Sequence, residues 1–395
     1  MTPDIFAAHA HRLIDLIADY RRTISSRPVM ATTRPGAVKA LLAAQAPAAP
    51  EPFTQVLEDV ERIILPHLSH WQHPKFFAYF PSNAALASVL GDFLSTGLGV
   101  LGITWQTSPA LSELEEVTTD WMRQLLGLSA AWQGVIQDTA STATLVALLC
   151  ARERATDFGL ARGGLQGEAA ALVVYVSTQA HSSVEKAALL AGLGREQIRK
   201  VAVDEALALS PQALAAAIRD DLAAGRKPCA VVVTTGTTAT TAVDPIAPVA
   251  ALCRQYGLWL HVDAAMGGSA QLLPECRWMW EGIEGADSVV VNPHKWLGAV
   301  FDCSLYYLRD PQHLQRVLST NPSYLQTAAD GQVRNYRDWG IPLGRRFRAL
   351  KLWFLLRLEG VEALKARLRR DLANAQWLAE QVGAAADWKV VAPVP

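Results

Sequence analysis

The sequence predicts an α/β fold, a mostly parallel sheet with helices on both faces. Three observations carry that expectation. Five short runs, Ala171–Val176, Ala230–Thr234, Leu258–Val262, Ser288–Val291 and Ser304–Leu308, are largely apolar and rich in β-branched residues. Runs apolar on both faces belong to strands covered on both sides. Helical patterns separate these runs, as in alternating α/β chains. Polar residues that could do chemistry cluster just beyond the runs, where open α/β sheets place their ligands.

Taken in order, residues 1–24 read as an amphipathic helix, with Ile5, Phe6, Leu13, Leu16, Ile17 and Tyr20 at helical spacing. The Pro- and Ala-rich stretch 25–52 reads as a connecting arm, helical in part over Val38 to Gln45, that packs on something larger. Ser108 as N-cap with Pro109 in the first turn opens a helix running through Leu111, Leu114, Val117, Trp121 and Leu125 to Gly127. Thr139-Ala140-Ser141 opens another, through Leu145, Leu148 and Leu149. The Ala-rich stretch 205–224 reads as a surface helix, and Gly360–Val382 as a last long one. The expected organisation is an N-terminal helical arm (1–83), a large domain (84–360) and the cut-short start of a small C-terminal domain (361–395).

Composition narrows the function. A hydrophobic share of 51% with 18% charged residues, in 395 residues, describes a globular chain with a large core. With 36 basic and 37 acidic side chains and no basic tract, nucleic acid and anionic membranes are not expected partners. No signal-peptide pattern and no membrane-spanning run is present. Five scattered cysteines, an odd number without a C-x-x-C pair, argue against a disulfide framework and for a reducing compartment, the cytoplasm.

Four strand ends or helix starts carry candidate chemistry. Thr139-Ala140-Ser141 leaves backbone N–H groups at a helix start where an anion would bind, although Ser and Thr are also ordinary caps. His181 follows the run 171–176, a place for a catalytic histidine as much as a structural one. Asp263 ends an apolar strand and needs a partner, which could be a metal, an arginine or a protonated ring nitrogen. His261, two residues earlier on the same face, keeps a metal pair in view, but no further ligand cluster accompanies it, so no metal is expected. The run His67 to His73 invites a metal reading too, and Pro66 and Pro74 leave it little helix. Lys295, in Asn292-Pro293-His294-Lys295-Trp296, is a surface lysine by base rate. At a strand end among apolar groups its amine would be depressed and nucleophilic. In this order, an anion-binding helix start, a ring-stacking His, an Asp and then a Lys match the needs of pyridoxal 5′-phosphate (PLP) for its phosphate, ring, pyridine nitrogen and aldehyde.

The chain resembles the group II PLP-dependent decarboxylases, specifically the aromatic-L-amino-acid decarboxylases and among them the bacterial DOPA-decarboxylase-like members. The resemblance is carried by His73 to Pro81, Val135-Ile136-Gln137 leading into Thr139-Ala140-Ser141, Gln179 to Ser183, Gly236-Thr237-Thr238, His261 to Ala265, Asn292 to Trp296 and Ile341 to Arg348. It implies the fold of type I PLP enzymes with a seven-stranded sheet, and a homodimer with its active site at the subunit interface. It implies decarboxylation of aromatic L-amino acids such as L-DOPA, 5-hydroxytryptophan, tryptophan, tyrosine or phenylalanine.

The residue roles it implies are these. Lys295 forms the Schiff base, Asp263 pairs with the pyridine nitrogen, Ala265 packs on the ring and His181 stacks over it. Thr139, Ala140, Ser141, Asn292 and His294 hold the phosphate, with Thr238 near the ring. Trp71, Tyr79, Phe80, Pro81 and Ser82 line the substrate entrance with His181, and Leu101 and Ile103 come from the partner subunit. Tyr324, on a loop over the site, is the proton donor.

Met266 and Ile103 replace aromatic residues common in the family, and Gly344 stands where plant relatives vary with ring preference, so the preferred substrate is open. Two other readings are an aromatic aldehyde synthase, which tends to lack this Tyr or His, and a non-catalytic protein on the same fold. Tyr324, His181, Asp263 and Lys295 are all present.

Overall fold

In the computed structural model of the chain, residues 1–320, 323–326, 329–392 and 394 are described, Tyr324 by its backbone alone. The chain divides into two compact units, Met1–Ser82 and Asn83–Pro395.

The first unit is helical. Helix α1 (Pro3–Thr23) starts at Thr2, whose hydroxyl accepts from the Ile5 N–H, with Asp4 in its first turn and Arg21 and Arg22 in its last. Those charges complement the helix dipole. Helix α2 covers only Ala37–Leu41, shorter than expected, because the backbone turns extended at Leu42. Helix α3 (Phe53–Asp59) runs on through tighter and wider turns to His67.

The second unit holds a seven-stranded sheet: β1 (Gln133–Gln137), β2 (Leu172–Ser177), β3 (Ile198–Val201), β4 (Lys227–Thr234), β5 (Trp259–Asp263), β6 (Ser288–Val291) and β7 (Ser304–Leu308). Their spatial order is β1-β7-β6-β5-β4-β2-β3. Only β7 runs antiparallel to its neighbours, so the other six all end at one edge of the sheet. β1 and β3 add to the five apolar runs.

Alternate side chains face opposite layers. Val231, Val233, Leu260, Val262, Val289 and Val291 belong to the core shared with α5 (Pro109–Leu126), α8 (Pro211–Ala223), α9 (Ile246–Tyr256), α11 (Arg348–Glu359) and α12 (Val361–Ala384). Ala230, Val232, Trp259 and Val290 belong to the core shared with α6 (Ala140–Ala155), α7 (Ser182–Leu190) and α10 (Pro311–Leu318). By this alternation Asp263 and His261 share the α6 side with Trp259. Helix α4 (Leu86–Leu98) packs on α11 across Gly91, where a Cβ would lie 2.7 Å from the Leu350 carbonyl oxygen.

One expected cap is corrected. Ser108 precedes α5, but its side chain makes no capping bond; Thr104 instead caps the turn ahead of it, accepting from the Thr107 N–H at 3.3 Å.

Candidate active site

The candidate cofactor residues Thr139 to Ser141, His181, Thr238, Asp263, Ala265, Asn292, His294 and Lys295 lie at or beyond the carboxyl ends of β1, β2, β4, β5 and β6, because each ends a strand, follows one or opens the next helix. From β1 the chain passes into Thr139, the N-cap of α6, whose hydroxyl accepts from the Thr142 N–H. The Thr139 N–H donates to Asp138 at 2.6 Å. The first turn of a helix leaves its N–H groups pointing outward, so Ala140 and Ser141 present an anion seat strengthened by the helix dipole. Ser141 is exposed, and Thr139 is half-buried.

From β2 the chain reaches His181, the N-cap of α7. Its Nδ1 accepts from the Ser183 N–H at 3.2 Å and lies 2.8 Å from the Ser183 hydroxyl. A neutral ring with Nδ1 as acceptor carries its proton on Nε2. Sequence reasoning missed Ser183 as a partner, although its place two residues after the histidine is the ordinary spacing of a cap.

β5 ends at Asp263, whose carboxylate is 5% exposed. It lies in register between Thr234 and Val290 and accepts from the Ala265 N–H at 3.1 Å. Beneath it His261 is fully buried, Nδ1 against the Ser288 hydroxyl at 2.9 Å and Nε2 near the Thr144 hydroxyl at 3.4 Å. Burial pulls its pKa down to about 4, so it is a neutral part of the core.

β6 leads into Asn292, His294 and Lys295. Asn292 donates through its N–H to the Ala265 carbonyl at 3.1 Å, and its side-chain oxygen accepts from Ser304 at 2.5 Å. His294 Nδ1 accepts from the Cys303 N–H at 3.0 Å, which leaves Nε2 as the donor of the neutral ring. Burial first, and the nearby Lys295 second, hold His294 down at about 4. Lys295 is half-buried. Burial lowers the pKa of its amine, and the charge of Asp263 opposes that shift. A lowered pKa raises the neutral share of the amine, the state a nucleophile needs.

Thr238 lies beyond β4, exposed on a turn closed by the Thr235–Val243 bridge and by Gly236 at φ 84°. Ala265 is buried beside the α6 core. Leu101 and Ile103 follow α4; Leu101 is exposed, and a Cβ on Gly344 would lie 3.5 Å from it. Trp71, Tyr79, Phe80, Pro81 and Ser82 belong to the first unit. There Trp71 stacks on Tyr79 with centroids 5.6 Å apart, and Ser82 accepts from Gln72 at 2.6 Å. The side chain of Tyr324 lies outside the described residues.

The histidines of the 67–73 run have other partners: His67 bonds the Ile63 carbonyl, His70 the Tyr20 hydroxyl and His73 the Lys75 N–H. Among the described residues no three His, Cys, Asp or Glu side chains gather as metal ligands.

The donor set fits PLP. The α6 start offers N–H and hydroxyl donors to a phosphate, and buried Asp263 offers a carboxylate to a protonated ring nitrogen. Lys295 offers a depressed amine to an aldehyde. The hydroxyl of Thr234, in register with Asp263 at the end of β4, is buried with no hydrogen-bond partner among the described residues and adds polar capacity beside it.

Comparison with known proteins gives the same answer. The model of the "Pyridoxal-dependent decarboxylase conserved domain" matches residues 35–394. Phenylacetaldehyde synthase of Arabidopsis thaliana is 43% identical over 98% of this chain and 80% of its own length. Aromatic-L-amino-acid decarboxylase of Rattus norvegicus is 42% identical over 93% of this chain and 78% of its own. The crystal structure of Oryza sativa TDC with PLP and tryptamine superposes with a TM-score of 0.95 at 37% identity, covering 100% of this chain and 82% of that one. The fold is therefore that of type I PLP enzymes. With strand-end geometry, donor set and relatives in agreement, the chain belongs to the group II pyridoxal-dependent decarboxylases, and its cofactor is PLP.

Proposed function

We propose that the chain removes the carboxylate of aromatic L-amino acids as CO2 and releases the arylethylamine. The observation that carries this reading is Asp263 at the end of β5 and Lys295 in the turn just past the end of the adjacent β6, where the Asp263 charge acts on the Lys295 amine. PLP supplies the electron sink for the bond broken at Cα. Asp263, buried and held by the Ala265 N–H, keeps the partner nitrogen protonated. Thr139, Ala140, Ser141, Asn292 and His294 bind the phosphate, His294 through Nε2. Lys295 would hold the cofactor through its aldehyde. His181, fixed on Ser183, would offer its Nε2–H to the bound cofactor, and Ala265 and Thr238 would be among the residues that surround the cofactor ring. Tyr324 returns a proton to Cα.

The substrate ring is received by Trp71, Tyr79, Phe80, Pro81 and Ser82, together with Leu101 and Ile103 of the second subunit of a homodimer. The exposed apolar side chains of α4, Leu90, Phe93, Leu94 and Leu98, are a face that such a dimer would cover. Placement beside the bacterial DOPA decarboxylases rests on the motif segments from His73 to Arg348. The division into arm (1–83), large domain (84–360) and C-terminal start (361–395) is proposed with it. Cys150, Cys229, Cys253, Cys276 and Cys303 are buried thiols, which suits the cytoplasm. No described helix is long and apolar enough to cross a membrane.

A second reading has support in the Arabidopsis relative, an aldehyde synthase by name. Tyr324 and His181 in the sequence favour amine release. The test is product stoichiometry across DOPA, 5-hydroxytryptophan, tryptophan, tyrosine and phenylalanine. One amine per CO2 supports decarboxylation, whereas aldehyde, ammonia and peroxide matching CO2 would establish the synthase.

A further inference from the structure

The backbone that carries Lys295 is held from a distant part of the chain. Lys295 lies in the turn Pro293–Leu297, and its φ of −95° and ψ of −109° leave helical geometry. The turn is closed around it by bonds to other atoms: Lys295 N–H to the Asn292 carbonyl at 2.9 Å and Ala299 N–H to the Pro293 carbonyl at 3.0 Å. The Lys295 carbonyl points instead to Asn83, whose side-chain Nδ2 donates to it at 2.8 Å. Two further bonds join the same segments: Ala85 N–H to the Gly298 carbonyl at 3.0 Å, and Val300 N–H to the Ser88 hydroxyl at 2.9 Å. Of the three, only the Asn83 bond acts on the lysine itself.

We infer that Asn83 is a positioning residue for Lys295, fixing the peptide plane that follows the lysine and so the direction in which its amine enters the site. This rests on the proposed role of Lys295. The chemistry is specific to the amide. Nδ2 is a donor, and a carbonyl can only accept. A carboxylate of the same shape would set two acceptors face to face, while its protonated form would restore a donor. Asn83 also directly follows Tyr79–Ser82, the segment proposed for the substrate entrance.

The test uses the full chain loaded with PLP, as wild type, Asn83→Ala and Asn83→Asp. Borohydride labelling of Lys295 in the wild type first establishes that this lysine holds the cofactor; without it the reading of Lys295 fails, whatever Asn83 does. The readouts are the pH titration of the visible absorption band, the rate at which hydroxylamine strips the cofactor, and the melting temperature of each protein. Asn83→Ala is expected to strip roughly fivefold faster, the equivalent of one ordinary hydrogen bond, with a displaced band titration and an unchanged melting temperature. Asn83→Asp is expected to strip faster still at about pH 8 and to recover toward wild type at about pH 4, where a carboxyl of ordinary pKa is about half protonated. Wild-type stripping and titration in both variants would overturn the inference. So would a defect in Asn83→Asp that is equal at both pH values, or one that only tracks a fall in melting temperature.

Discussion

Lys351 and Lys295 are both withdrawn from water, in different degrees, and differ in what surrounds them. Lys351, on α11, is 1% exposed and lies 2.7 Å from Asp92 and 3.9 Å from Asp302, with the Phe301 carbonyl at 3.5 Å. Asp302 is held below the usual carboxylate range: burial opposes this, and the bond from Arg348 outweighs it. Lys351 is thus, with Arg348, a cation of a largely buried ion cluster that joins α4, α11 and the turn before β7. Lys295 is less buried than Lys351, yet burial depresses its amine. The contrast teaches that depth alone does not mark a reactive lysine. Carboxylates packed tightly around an ammonium make Lys351 architecture, whereas burial that lowers its pKa equips Lys295 for the nucleophilic role proposed for it.

The comparison can be broken by exchanging the outcomes. Lys295→Ala should lower kcat by on the order of 10^4-fold or more, as loss of a covalent nucleophile does, while the melting temperature of the cofactor-free chain barely moves. Asp263→Asn should retain fold and labelling at Lys295 but lose on the order of 10^2-fold in kcat, since an amide does not keep a ring nitrogen protonated. Lys351→Met should do the reverse of Lys295→Ala. Removing one member of a buried ion cluster costs on the order of 2–3 kcal/mol in denaturant unfolding, the low side of the usual range because Asp92 and Asp302 keep partial solvent contact. The chemistry per folded molecule should stay near wild type.

The smallest effect sharpens the electrostatics. His261 has its pKa lowered to about 4 by burial, below its unfolded value of 6.5. In that window the unfolded chain binds more protons, so stability rises with pH. The His261 contribution is present above 6.5 and is lost as pH falls toward 4. His261→Gln should therefore flatten the dependence of melting temperature on pH across that interval. An undiminished slope would mean that the titrating group is elsewhere, with His294 the next candidate.

Much of the site was legible because it obeys a local rule. An apolar strand that stops at a polar residue, as Leu258–Val262 stops at Asp263 and Ser288–Val291 stops before Asn292, advertises a strand end at a ligand edge. β1 and β3 were not legible as apolar runs. β1 opens with Gln133-Gly134, and β3 is an edge strand whose middle residues, Arg199 and Lys200, stay in contact with water while Ile198 and Val201 are buried. The missing cap at Ser108 failed for a backbone reason: its ψ of 87° accompanies a hydroxyl that makes no bond into α5. Contacts made across the sequence were invisible by nature. Nothing near Asn83 announces a bond to a carbonyl 212 residues away, and nothing near Thr144 or Ser288 announces that their hydroxyls meet on His261.

The central claim is that PLP is held on Lys295 and not on another buried lysine. Borohydride reduction of the loaded protein followed by peptide mass spectrometry tests it directly. The expected result is one pyridoxyl phosphate group per chain, on the peptide containing Asn292-Pro293-His294-Lys295-Trp296, with the visible band lost in step. A label on Lys351 or any other lysine, or a reduced protein carrying none, would contradict it.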